Sequence, residues 1–284
     1  MSDPPGHRRP EPGESPVVYA LGSDPAERDR LRRQSEDLRA HSAALLDRTG
    51  LGEGWSVIDL GCGPSGIIEL LSSRVGPMGR VVGLDFDPAN ISAARQLALD
   101  RGLTNVELVE GDARHTGLAA GSFDLAHART LLINVPKPDG IVAEMVRLVK
   151  PGGSIAVLEP DVGVSVCYPP LPAWDRMAEI FRSTYAIDGA DPLIGRRVAE
   201  LFREAGLIEV GVEARADLYA MDNSRRTSRP DLVRSMRPKI VGRGLVAEQV
   251  LDEVDHAVRE HLSDPNTLVM PSLLFLVWGR KAAD

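Results

Sequence analysis

The chain has 284 residues, 43% of them hydrophobic, which suffices for one sizeable core. A net charge of −8 argues against a broad surface for nucleic acid or anionic membrane, because such surfaces need clustered Lys and Arg. Two cysteines, Cys62 and Cys167, are too few for a disulfide framework, and no apolar run approaches the roughly 18 residues of a membrane span, so the expected setting is cytoplasmic.

Residues 1–16 are rich in Pro, Gly and charge and lack an apolar stretch, which reads as a disordered tail before one domain at 17–284. Asp24-Pro25-Ala26-Glu27 has the form of a helix start, with Asp24 as cap and Pro25 in the first turn. The helix carries a thin stripe of Leu31, Leu38, Leu45 and Leu46 and ends at Gly50 and Gly52. Its arginines 28, 30, 32 and 33 are interleaved with Glu27, Asp29, Glu36 and Asp37, the pattern of a solvated face. Short β-branched runs then follow at Ser56–Leu60, Arg80–Asp85, Val106–Glu110, 123–128 and 154–159. Helical patterns at 66–75, Pro88–Asp100 and 139–149 separate them. Apolar strands alternating with helices predict an α/β, doubly wound and mostly parallel sheet with helices on both faces. Beyond residue 159 come helices at 173–185 and 194–205, a sixth strand at 207–214, helices at 231–241 and 247–262, and a seventh strand at 272–279. The segments 162–193 and 215–271 exceed the alternating core and predict a helical lid over the sheet's edge.

The chemistry concentrates in Asp59-Leu60-Gly61-Cys62-Gly63-Pro64-Ser65-Gly66, between a strand and a helix. Glycines there let backbone approach a ligand, and the spacing of Gly61, Gly63 and Gly66 also fits a dinucleotide-binding turn. Three acids narrow the choice. Asp59 ends its strand where it can face an ammonium group, which a pyrophosphate turn does not need. Asp85 ends the second strand, placed for two ribose hydroxyls, which suits either reading, and Asp112 follows the third, placed to accept from an exocyclic amine. Together they fit a ligand that is part nucleoside and part amino acid. A dehydrogenase is further disfavoured by the lack of a Tyr-x-x-x-Lys pair.

Over roughly residues 19–161 these motifs resemble the class I, Rossmann-like methyltransferases that use S-adenosylmethionine, in particular the group similar to ubiquinone/menaquinone methyltransferases and bacterial small-molecule enzymes. The resemblance implies that Gly61 and Gly63 cradle the methionine part of the cofactor and that Asp85 holds the ribose. It places Phe86, Asp112 and Ala113 around the adenine and Arg129 near the sulfonium and carboxylate. Tyr19-Ala20-Leu21-Gly22 matches a segment that folds over the cofactor in relatives, which makes Tyr19 a candidate for closing the site; it equally suits a hydrophobic staple. Removing residues 1–16 is therefore expected to leave the melting temperature unchanged, while cutting past Tyr19 weakens retention of S-adenosylhomocysteine in a titration. Equal retention in both truncations would refute the closure.

Methyl transfer from a sulfonium asks the protein mainly for alignment, so its catalyst is not announced in sequence. His127, Asn134, Glu159 and Asp161 are the polar residues expected at the sheet's C-terminal edge, with His127 and Asp161 taken as catalytic candidates; His127 equally suits a buried core position. The six histidines are scattered and form no metal-ligand pattern. Trp174, Met177, Phe181, Tyr185, Tyr219, Met221 and Met236 predict either an apolar or aromatic small-molecule acceptor or simply the packing of the lid. A protein or nucleic-acid acceptor is disfavoured because Ala128-Arg129-Thr130-Leu131 stands where an Asn-Pro-Pro-Tyr signature would be. Monomer and homodimer both remain open, as does a protein of this fold that binds the cofactor but catalyses cyclisation.

Overall fold

The computed structural model of the chain describes residues 25–219, 221 and 223–283. Tyr19, Asp24 and the 1–16 segment lie outside them. Two helices, α1 (Pro25–Asp37) and α2 (Arg39–Thr49), precede β1 (Ser56–Leu60), α3 (Ile68–Val75), β2 (Arg80–Asp85), α4 (Pro88–Asp100) and β3 (Val106–Glu110). There follow β4 (Phe123–Arg129), α5 (Asp139–Leu148), β5 (Val149–Asp161), β6 (Val166–Tyr168), α6 (Pro172–Ile187), α7 (Val198–Glu204) and β7 (Ile208–Arg215). The chain closes with α8 (Ser228–Ser235), α9 (Arg237–Gly242), α10 (Glu248–Leu262), β8 (Leu268–Met270) and β9 (Leu273–Arg280).

Seven strands form one sheet in the order β3-β2-β1-β4-β5-β9-β7. The pairs among β1 to β5 are parallel, and β9 runs antiparallel to both its neighbours. This is the expected doubly wound, mostly parallel sheet. Successive residues of β1 explain why both faces are covered. Ile58 and Leu60 enter the core that holds α5, α6 and α7, whereas Val57 enters the core under α2 and α3. The strand order reverses between β1 and β4, and ligands of open α/β sheets bind outside the carboxyl ends at such a point.

Three features depart from the sequence reading. The first helix is broken at Leu38, with neither proline nor glycine at the break, so no residue type signals it. Pro238 divides the helix expected at 231–241 into α8 and α9, as a ring in the first turn of a new helix does. The loops flanking the last helices pair as a short antiparallel ladder, β6 with β8. Through that ladder and the packing of α6 against α8 and α10, the segments 162–193 and 215–271 form one layer.

Candidate functional site

The glycine turn is fixed from the neighbouring strand. The amides of Gly61 and Cys62 both donate to the Leu84 carbonyl, at 2.7 and 3.0 Å. Gly61 and Gly66 have φ of +68° and +47°, and a side chain at Gly66 would sit 2.5 Å from the Cys62 carbonyl. Gly63, at φ +61°, opens instead onto free space. Cys62 is buried, and burial next to Asp59 and Asp85 pushes its thiol well up, so it acts as a small packing residue.

Gly61, Gly63, Asp85 and Phe86 line a cavity of about 620 Å³ together with Asp112, Ala113 and Arg129. The turn supplies one wall and the ends of β2, β3 and β4 another. Asp85 Oδ2 accepts from the Gly63 amide at 2.8 Å, and its Oδ1 accepts from Asp87 N at 3.0 Å and Asn90 Nδ2 at 3.3 Å. Burial raises its carboxyl above the ordinary value against these bonds. Asp87 caps α4 through the Ala89 amide. At Asp112, burial is outweighed by the Arg114 fork, which donates to both carboxylate oxygens and holds the acid below its ordinary value. Phe86 is exposed at the rim. Arg129 reaches from β4 to α1 and α2, donating to Ser35 Oγ at 2.9 Å and Ser42 Oγ at 3.1 Å. Burial lowers its guanidinium to about 10. No carboxylate among the described residues forms an ion pair with it, although nearby Asp59 favours its charge.

The expected catalytic pair is not brought to this cavity. The β1–β4 register sets His127 beside Asp59, and His127 Nδ1 bonds Asp59 Oδ1 at 2.8 Å. His127 is fully buried and its Nε2 has no hydrogen-bond partner among the described residues. Asp59 lies directly beneath the turn, where a side chain at Gly66 would meet its Oδ2 at 2.9 Å. Asp161 is likewise buried; its carboxylate is forked by Arg196 and accepts from Gly163 N at 2.8 Å. That pairing ties β5 to the turn before α7, with Pro160 and Val162, not Asp161, on the cavity wall.

Glu159 turns out to be structural. Its Oε1 accepts from the amides of Leu131 and Leu132 at 2.8 and 2.7 Å, and its Oε2 from Ile133 at 3.3 Å. It thereby fixes the loop after β4, which starts at Thr130 in the left-handed region (φ 50°) and lines the cavity. Asn134 Nδ2 closes the loop on the Thr130 carbonyl, and Tyr185 Oη donates to Asn134 Oδ1 at 3.2 Å.

Of the seven apolar and aromatic residues singled out beyond residue 162, Phe181 and Tyr185 face the cavity. Trp174, Met177 and Met236 are buried in the core, and Met221 is exposed. Two cavity residues, Arg225 and Arg229, were not foreseen. The available signal was a stretch from Asn223 to Pro230 with three arginines and no acid, unlike the mixed charges of α1. Among the described residues no helix is long and apolar enough to cross a membrane.

Residues 51–205 match the family model of a methyltransferase domain. The chain is 32% identical over 169 residues to a 37.1 kDa protein in transposon TN4556 of Streptomyces fradiae, covering 59% of this chain and 48% of that protein. It thus spans about half of that relative's length. It is 28% identical over 181 residues to the demethylmenaquinone methyltransferase of Geobacillus sp. (strain WCH70), covering 60% and 77% of the two chains. The fold is shared with a SAM-dependent methyltransferase from Aquifex aeolicus, at a TM-score of 0.55 and 16% identity over 92% of this chain and all of the other. A glycine turn, a strand-end acid and a cavity at the strand-order reversal thus come together in a chain that belongs to the methyltransferase-domain family.

Proposed function

We propose that the protein transfers the methyl group of S-adenosylmethionine to a small, largely apolar acceptor. The observation that carries this reading is a single cavity whose one end is the glycine turn with Asp85, Asp112 and Arg129, and whose other end is Ile133, Val162 and Phe181. The donor set suits the cofactor: an open glycine edge, a carboxylate for two hydroxyls, and an arginine without an ion pair for a carboxylate. When bound, the cofactor supplies an electrophilic methyl on a sulfonium.

The chain's own residues then hold and align. Gly61 and Gly63 admit the amino-acid part, Asp85 takes the ribose hydroxyls, and Arg129 meets the carboxylate. Asp112, Ala113 and Phe86 border the adenine. Asp59, bonded to His127, is a positioning residue beneath the turn, and Asp161 positions the β5 end through Arg196. Tyr185, whose hydroxyl burial pushes well above its ordinary value, stays protonated and orients Asn134. The layer formed by 162–193 and 215–271 covers the acceptor and excludes water. No nucleic acid and no membrane partner is needed by this site.

The test uses cofactor labelled in the methyl group, incubated with the full chain and a panel of quinone, phenol and polyketide acceptors. Labelled product and S-adenosylhomocysteine are expected in equal amounts. Product formed without label would overturn methyl transfer in favour of cyclisation.

A further inference from the structure

Beyond Arg129, the cavity is bordered by three arginines without an ion pair among the described residues, Arg33, Arg225 and Arg229, of which the last two are buried. Both are more than nine-tenths buried. Arg225 donates through Nε to Tyr219 Oη at 2.8 Å, with its guanidinium over that ring, and neither of its Nη groups bonds a described residue. Arg229 lies 4.5 Å over the Trp174 ring and donates to Ser165 Oγ and the Pro271 carbonyl. The intervening Arg226 shows what a purely structural arginine looks like in this segment. It is buried too, and four backbone carbonyls, those of Leu262, Thr267, Tyr219 and Asp264, absorb its donors. Arg225 has no such sink.

Two other acids at the cavity have basic partners, whereas Asp85, Asp87 and Arg33 have no ion pair among the described residues. Asp112 pairs with Arg114, and Asp231 with Arg259. A cofactor carboxylate offsets one arginine, while its ammonium and sulfonium add positive charge. Arg225 and Arg229 then remain buried at the cavity without a carboxylate, Arg225 close enough to Arg129 to disfavour its charge, and burying an unpaired charge is costly.

Resting on the methyl-transfer reading above, we propose that Arg225 and Arg229 form an anion subsite that holds a carboxylate on an otherwise apolar acceptor. The acceptor's body lies along Ile133, Val162, Phe181 and Leu232 on the cavity wall. A carboxylate suits the site better than a phosphate. Arg229 has already committed two donors, so the available fork is that of Arg225, which matches two coplanar oxygens.

The test is calorimetric titration of the full chain with decanoate and with decanamide, at saturating S-adenosylhomocysteine. Decanoate is expected to bind about tenfold tighter or more, a preference of the size charge-assisted hydrogen bonds give. Arg225→Gln and Arg229→Gln should erase the preference, and Arg225→Lys should keep part of it, with S-adenosylhomocysteine affinity unchanged in all three. Equal binding of acid and amide to the wild-type chain overturns the proposal, whether or not the variants fold. A preference that survives both glutamine variants also overturns it, as does a loss of S-adenosylhomocysteine affinity in Arg225→Gln, which would give that residue to the donor end. Failure of the wild-type chain to bind S-adenosylhomocysteine sinks the methyl-transfer reading instead, and the acid–amide comparison without it still decides the subsite.

Discussion

Replacing Glu159 by Ala is expected to destabilise the fold by about 3 kcal/mol or more, because three backbone amides lose their acceptor inside the protein. Each donor left unsatisfied costs roughly 1–3 kcal/mol, though water entering the gap offsets part of the sum. For a chain of this size, that corresponds to a melting temperature lower by about 6–12 °C. A melting temperature within about 2 °C of wild type would show that the loop after β4 holds itself. The same residue gives the stability a pH dependence of definite sign. Burial pushes the carboxyl up to about 8 although three amides favour its charged form. The folded state therefore holds this proton more tightly than the unfolded chain does. Its contribution is complete below the ordinary carboxylate range and is lost as pH rises towards about 8. Urea titrations of wild type and Glu159→Gln should converge over that interval, with a slope of at most about 1.4 kcal/mol per pH unit. Parallel curves would mean that the carboxylate is already charged throughout.

Asp85→Ala is expected to weaken S-adenosylhomocysteine binding by about 1–3 kcal/mol, roughly 5- to 150-fold in Kd. Two losses combine. The variant removes the acceptor proposed for the ribose hydroxyls, and it also releases the Gly63 amide and Asp87, which the carboxylate holds in place. Asp85→Asn separates them, since its amide keeps one oxygen for the backbone but offers one acceptor fewer. Calorimetry is the direct measurement. An unchanged Kd in Asp85→Ala would remove this residue from the binding site.

The glycine-turn end of the cavity is legible in the sequence because its signals are local. Strand-end acids, turn glycines and Asp87-Pro88 each act within a few residues of where they stand. Strand order then gathers them without further information. The acceptor end was not legible for the opposite reason. Its walls come from residues as far apart as Ile133, Phe181 and Arg225, brought together by the packing of α6 against α8 and of the turn before α8 against α1 and α10. His127 shows the limit within the core. Its alternation with Leu125 along β4 gives its face, but its bond to Asp59 follows from β1 and β4 being neighbours in register, a fact of topology. Glu159 and Asp161 flank a proline at a strand end, a pattern that equally suits ligand contact and anchoring. Only the positions of the Leu131–Ile133 amides and of Arg196 decide for anchoring.

The β6–β8 ladder bears on how such a chain can change over time. Residues 166–168 and 268–270 are a hundred positions apart, yet each supplies the backbone partners of the other. A graft that replaced 162–193 alone would put a foreign edge against β8, and one that replaced 215–271 alone would do the same to β6. Strands β1 to β4, which carry the glycine turn, pair with neither segment. New acceptor preferences therefore have to be inherited by both segments as a pair, or else arise by single substitutions within the cavity wall that leave the ladder untouched.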